Sequence, residues 1–219
     1  MTAPCFAPHQ DLADHLLPLA AAPGDGSHDL SHILRVWANV RRLAVEEGGD
    51  MEILLAATLL HDCVAVEKTS PLRARASRLA AVRARAILTD LDWPEPRIAA
   101  VAHAIEAHSF SAGISPKTTE ARILQDADRL DAIGLIGVAR CFYVAGRTGA
   151  ALYDPADPQA VDRPLDDRRF ALDHFETKLL TLAQGFQTRT GRRLARARHQ
   201  SLVTFRDGLL AEIAADPPA

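Results

Sequence analysis

The apolar residues of this chain recur every three or four positions along long segments, and alternating β-branched runs are few. That spacing places apolar side chains on one face of a helix and leaves little for a sheet to use. Alanine, leucine and arginine dominate these stretches, and all three favour helix. The expected fold class is therefore all-α. Segment 9–21 reads as a short helix ended by Ala22-Pro23-Gly24-Asp25-Gly26. A second helix begins near Ser27 or Asp29 and stops at Gly48-Gly49. Asp50 caps a third, which carries Glu52 in its first turn and runs to about Asp62. Residues 64–71 read as a loop and 72–90 as a helix rich in arginine and alanine. Pro94 and Pro96 open a helix to about His108, and a loop at 109–117 follows. Thr119 starts a long helix through Tyr143, with Gly134 and Gly137 inside it. A loop at 146–165 precedes two helices at roughly 167–187 and 191–214. The last ~55 residues lie near the lower limit for independent folding. The chain accordingly reads as a single domain, 1–219, closed by a helical hairpin at about 166–214.

Composition removes several function classes. The formal charge is −3, without a basic block, which argues against nucleic acid as the main partner. Cys5, Cys63 and Cys141 stand in unrelated contexts without metal-ligand spacing, so they read as reduced thiols of a cytoplasmic protein. The N-terminus lacks the charged and apolar regions of a signal peptide, and no apolar run reaches the ~18 residues of a membrane span. Neither a Gly-x-x-x-x-Gly-Lys loop nor a Gly-x-Gly-x-x-Gly turn occurs, so P-loop and Rossmann chemistry are not expected.

The chemistry lies in imidazole and carboxylate. His61-Asp62 closes the apolar run Ile53–Leu60, an unusual end for a hydrophobic helix. Upstream, His28 and His32 sit four apart at a helix start and share a face. Read alone, His28 is a cap or surface residue and His32 a hydrogen-bonded core histidine. Downstream, Asp126, Asp128 and Asp131 fall within six residues of a helix too apolar for a solvated face. A buried carboxylate needs a partner. Arg122 and Arg129 could pair with some of these three, and a metal could neutralise another. His103 and His108 form a further cluster, read as a second metal site, as phosphate donors or as cations at a helix C-terminus. Such side chains hold Mn, Fe, Zn or Mg and leave room for water and phosphate.

The pattern resembles the HD-domain superfamily of metal-dependent phosphohydrolases: a histidine on the first core helix, the His-Asp pair, and a distant aspartate before Arg-Leu. His32 fits the first place because Arg35-Val36 follow it; His61 and Asp62 fit the pair, and Asp128, in Ala127-Asp128-Arg129-Leu130, fits the last. The superfamily motif spans roughly 27–132. Ala107–Ser111, Gln125–Leu130 and Leu172–Leu180 are similar to the YedJ-like bacterial branch, and a related branch includes nucleoside triphosphate pyrophosphohydrolases.

The resemblance implies a helical bundle with a C-terminal extension. It implies a divalent metal (Mn, Mg, Fe, Ni, Co or Zn) held by His32, His61, Asp62 and Asp128. Asp62, Lys68, His108 and Arg129 are the expected catalytic groups, and Lys68, His103, His108, Arg129 and Lys178 the substrate contacts. The expected partner is a small-molecule phosphate, foremost a nucleotide, with neither membrane nor nucleic acid. The composition does not fix an oligomeric state. Many HD hydrolases carry an acid three or four positions after the pair; here Ala65 and Val66 stand there, and Glu67 is the nearest. The alternatives are a cyclic-nucleotide phosphodiesterase, a di-iron oxygenase and a non-catalytic metal-binding regulatory domain.

Overall fold

The computed structural model describes residues 5–20, 30–64, 66, 73–109 and 112–214. The segment holding His28, most of the 64–71 loop with Lys68 and Glu67, and Phe110-Ser111 lie outside them. The regular elements are α1 (Gln10–Ala20), α2 (Leu30–Glu47), α3 (Met51–Leu60), α4 (Ala76–Asp90), α5 (Glu95–His108), α6 (Thr119–Asp131), α7 (Gly134–Thr148), α8 (Leu180–Leu182) and α9 (Arg189–Ala214). A 3-10 turn (Arg73–Arg75) precedes α4 and a π turn (Phe175–Leu179) precedes α8. Among the described residues, β structure is confined to an isolated bridge between Ala151 and Phe170, and no helix is long and apolar enough to cross a membrane. The chain is all-α, as expected.

The contacts divide the chain into two compact units, Met1–Asp128 with Gln187–Gly191, and Arg129–Phe186 with Arg192–Ala219. The first is organised by α3. Asp50 Oδ1 accepts the amides of Glu52 at 2.9 Å and Ile53 at 3.2 Å, which satisfies two of the four donors a helix start leaves open. Every residue from Ile53 to Leu60 is then buried. A helix apolar on all sides must be covered on all sides, and α1, α2, α4 and α5 pack on it. Each of the fully buried Leu54, Leu55, Leu59 and Leu60 contributes about 1.5–3 kcal/mol by leaving water. The same unit holds the segment opening α9. Asp126 accepts the amides of Gln187 (2.8 Å) and Thr188 (2.7 Å) and the Thr188 hydroxyl (2.7 Å); Glu47 accepts the Thr190 amide and Glu46 its hydroxyl.

The second unit packs Phe142, Phe175 and Phe205 in a ring cluster with centroids 5.9–6.2 Å apart. Its long connection is tied by Arg163, whose guanidinium donates to both Asp173 oxygens at 2.6 and 2.9 Å and lies over the Phe170 ring. That pairing holds the buried Asp173 carboxyl below the ordinary carboxylate range.

Two expected helices are corrected. The helix from Thr119 to Tyr143 is broken: α6 stops at Asp131, Ile133 is extended, and Gly134 turns left-handed at φ 73°. A side chain at 134 would be strained there and would press on Arg198 at 3.1 Å. The helix expected over 167–187 is largely absent. The amides of Ala171 and Leu172 donate to the carbonyls of Ala151 and Leu152, and the Asp166 amide to Asp173, so helical turns begin only at Phe175.

Candidate metal centre

α3 and α5 end in the same way. The last four carbonyls of a helix have no intrahelical partner. His61, the C-cap of α3, donates Nδ1–H to the Thr58 carbonyl at 2.7 Å. His108, the last residue of α5, donates Nδ1–H to the Ile105 carbonyl at 2.6 Å. A carbonyl can only accept, so the proton sits on Nδ1, and in the neutral ring the Nε2 lone pair points off the helix end. The two rings meet edge-on, centroids 4.9 Å apart. His32 joins them from α2, fully buried beside Ile33 and Val36.

The outward atoms converge. His32 Nε2 lies 3.2 Å from His61 Nε2, 3.6 Å from Asp128 Oδ1 and 3.9 Å from Asp62 Oδ2. His61 Nε2 lies 3.5 Å from Asp62 Oδ2 and 4.0 Å from Asp128 Oδ1. His108 Nε2 stands 3.9 Å from Asp62 Oδ1. Donors about 2.1 Å from a common ion lie about 3.0 Å apart at a right angle and about 4.2 Å apart when opposed, and the observed spacings fall inside that range. An Nε2 lone pair facing two carboxylate oxygens is repulsive unless a cation stands among them. The donor set therefore fits a divalent metal, in two overlapping groups: His32, His61 and Asp128; and His61, Asp62 and His108.

Burial, reinforced by His61, pushes the His108 pKa below the ordinary histidine value. Burial alone would raise that of Asp128, but His108, His32 and His61 together outweigh it and hold the carboxyl below its ordinary range.

Other polar groups fix these elements. Buried Asn39, seven residues after His32 and so on the same face of α2, donates to the Ala127 carbonyl at 3.0 Å, one residue before Asp128. Buried Gln125 donates to the Ala107 carbonyl at 2.5 Å, one residue before His108. Neither stood out in the sequence. The signal was a carboxamide at helical spacing from a candidate ligand on an otherwise apolar face.

The other expected site residues that the structure describes have partners of their own. His103 Nε2 accepts the Lys117 amide at 2.9 Å, outside both donor groups, and so fastens the 112–118 segment. Arg129 belongs to the second unit and donates to the Gly185 carbonyl. Lys178, also of that unit, is exposed and acts on Asp167, which accepts from His174 at 3.0 Å and Thr177 at 3.1 Å. Lys68 lies outside the described residues. The three aspartates of α6 part company: Asp126 caps the α9 segment, Asp128 faces the histidines, and Asp131 pairs with Arg140 at 2.9 Å.

Comparison with known proteins shows the family. The HD-domain family profile matches residues 29–133. YpgQ of Bacillus subtilis, a protein described as uncharacterized, is 32% identical over 182 residues, 81% of this chain and 80% of that protein. The crystal structure of YpgQ in complex with ADP has a TM-score of 0.70 at 29% identity, covering 94% of this chain and 97% of that one. An HD-superfamily hydrolase from Bacillus thuringiensis has a TM-score of 0.69 at 30% identity, covering 94% and 95%.

Proposed function

The chain belongs to the HD-domain family of metal-dependent phosphohydrolases, and from that premise we propose that it cleaves a nucleoside triphosphate to monophosphate and pyrophosphate. The observation carrying this reading is the convergence of His32, His61, Asp62 and Asp128 to donor spacings of 3.2–4.0 Å. Support for a nucleotide comes from YpgQ, whose structure holds ADP.

In this reading the four residues hold the divalent ion. When bound, the ion supplies a Lewis acid and a water of lowered pKa. The ionised Asp128 and the Thr58-anchored ring of His61 present donors that need little rearrangement. His108 takes the role that the absent acid at positions 65 and 66 leaves open. Its Nε2 accepts the proton of the attacking water, while Nδ1 stays bonded to Ile105 and keeps the ring oriented. The water oxygen bonds to the α-phosphorus as the α–β bridging bond breaks, and pyrophosphate leaves with that electron pair. Lys68, six residues past Asp62, is the proposed cation for the leaving group.

The test is a hydrolysis screen with Mn, Mg, Co, Ni and Zn against nucleoside mono-, di- and triphosphates, following phosphate and pyrophosphate. The expected result is metal-dependent pyrophosphate release that Asp62→Ala abolishes. Phosphate as the sole product would replace this reading with a phosphatase. Absence of metal-dependent turnover across the panel would refute a nucleotide substrate.

A further inference from the structure

We propose that Gln125 is a positioning residue for His108, acting through the Ala107 carbonyl; the inference builds on the role given to His108 above. α5 ends at His108, so the carbonyls of its last turn have no intrahelical donors. The His108 ring itself takes Ile105, and Gln125 Nε2 takes Ala107 at 2.5 Å. Gln125 thereby grips the peptide that leads into the histidine. It stands three residues before Asp128 on α6, so both project from one face of that helix. A single helix thus supplies a carboxylate of the centre and the clamp that sets its distance from His108.

A simple structural tie would not look like this. Gln125 is 2% exposed, and its Oε1 is buried with no hydrogen-bond partner among the described residues. Leaving a buried acceptor unpaired costs about 1–3 kcal/mol, close to what the Nε2 bond returns. A methionine of similar length would fill the space and exchange one unpaired acceptor, Oε1, for another, the Ala107 carbonyl, so the two side chains differ little in stability. The carboxamide is therefore poorly explained by stability and well explained by aim. Asn39 repeats the device, gripping Ala127 ahead of Asp128. Each carboxamide holds the carbonyl one residue before a side chain of the centre. A displacement near 1 Å of a reacting group lowers turnover about 100-fold, and losing a group that orients a ligand costs about 10–100-fold.

The test uses the full chain with Gln125→Met and Gln125→Glu. Both keep the side chain's length; methionine has no donor for Ala107, and glutamate has one only while its buried carboxyl stays protonated. Three quantities are read: thermal unfolding, the 15N signals of the His108 ring in metal-free protein, and kcat and KM with Mn. We expect Gln125→Met to unfold within a few degrees of the unsubstituted protein, with kcat down 10–100-fold and KM within threefold. The His108 ring, a single Nδ1–H tautomer in the unsubstituted protein, should show a tautomer mixture in the variant. A folded variant with an unchanged ring signal and unchanged kcat would overturn the proposal. So would failure of both variants to fold, which would make Gln125 a strut. The ring signal is read without metal or substrate. An inactive unsubstituted protein would thus refute the proposed function and still leave Gln125 to be decided by the ring.

Discussion

Asp126 and Asp128 stand two residues apart on α6, and exchanging each for asparagine should break different properties. Asp126 is fully buried and accepts three hydrogen bonds at 2.7–2.8 Å, two on Oδ2 from Thr188 and one on Oδ1 from Gln187. Bonds to a charged acceptor contribute about 1.5–3 kcal/mol each. Asparagine keeps one oxygen and turns an NH2 toward at least one buried donor. One or two bonds are lost, for a destabilisation of about 3 kcal/mol. For a chain of this size that is about 6–12 °C in Tm. Among the described residues Asp128 receives no such bonds; the His32 and His61 nitrogens face it at 3.6 and 4.0 Å. At pH 8 without metal, Asp128→Asn should leave stability within about 1 kcal/mol. The order reverses when Mn is added. At 100 times its Kd an ion stabilises by about 2.7 kcal/mol, which is about 5–11 °C here. Asp126→Asn should keep that rise and Asp128→Asn should lose it. The assay is thermal unfolding of the three proteins with and without Mn. A full Mn-dependent rise in Asp128→Asn would remove Asp128 from the ligand set. An unchanged Tm in Asp126→Asn would refute its role as the cap of the α9 segment.

Burial raises the Cys63 and Cys141 thiols to about 11, so at pH 8 both stay protonated and shielded; a thiol reagent should titrate the exposed Cys5 quickly and reach the other two only in denaturant. The folded chain resists protonating His108 while the unfolded chain takes that proton near 6.5, so its contribution to stability is complete above that pH and declines below it. Tm measured from pH 8 to 5 without metal should therefore fall below pH 6.5, and His108→Gln should flatten the fall; an equal slope in the variant would refute the assignment. Gly134→Ala, at φ 73° and 3.1 Å from Arg198, should cost about 1–2 kcal/mol in thermal unfolding, and an unaltered Tm would refute the strain argument.

The parts of this fold visible in the sequence are those governed by local rules. The Asp50 cap, the all-apolar α3 and the prolines opening α5 involve neighbours within a turn, and each is found where expected. The break after α6 was not visible, because an isolated glycine inside a helical pattern is tolerated, and Arg198 lies 64 positions away in sequence. The stretch 167–174 was misread for the same reason: its pairing with Ala151 and Leu152 and the hold of Arg163 on Asp173 are distant in sequence. At the centre, side-chain chemistry was legible and its support was not. Backbone carbonyls orient His61 and His108, and no residue type at Thr58 or Ile105 records that use. His103 and His108 look alike in the sequence, yet only His108 ends its helix and turns its free nitrogen toward the pair.

The addresses assigned along α6 have a consequence for how this chain can change length. Gln125, Asp126, Asp128, Arg129 and Asp131 each serve a different partner from one continuous helix. A point substitution removes one of those services. Inserting or deleting one residue early in α6 instead turns everything downstream by about 100° and slides it about 1.5 Å, misdirecting all five at once. Between the anchored Arg163 and the α7 end, the stretch 155–161 is tied by short-range turns and can absorb extra residues at its exposed tips. The span of α6 is thus a fixed measure, counted in residues, whereas such exposed tips are free to lengthen.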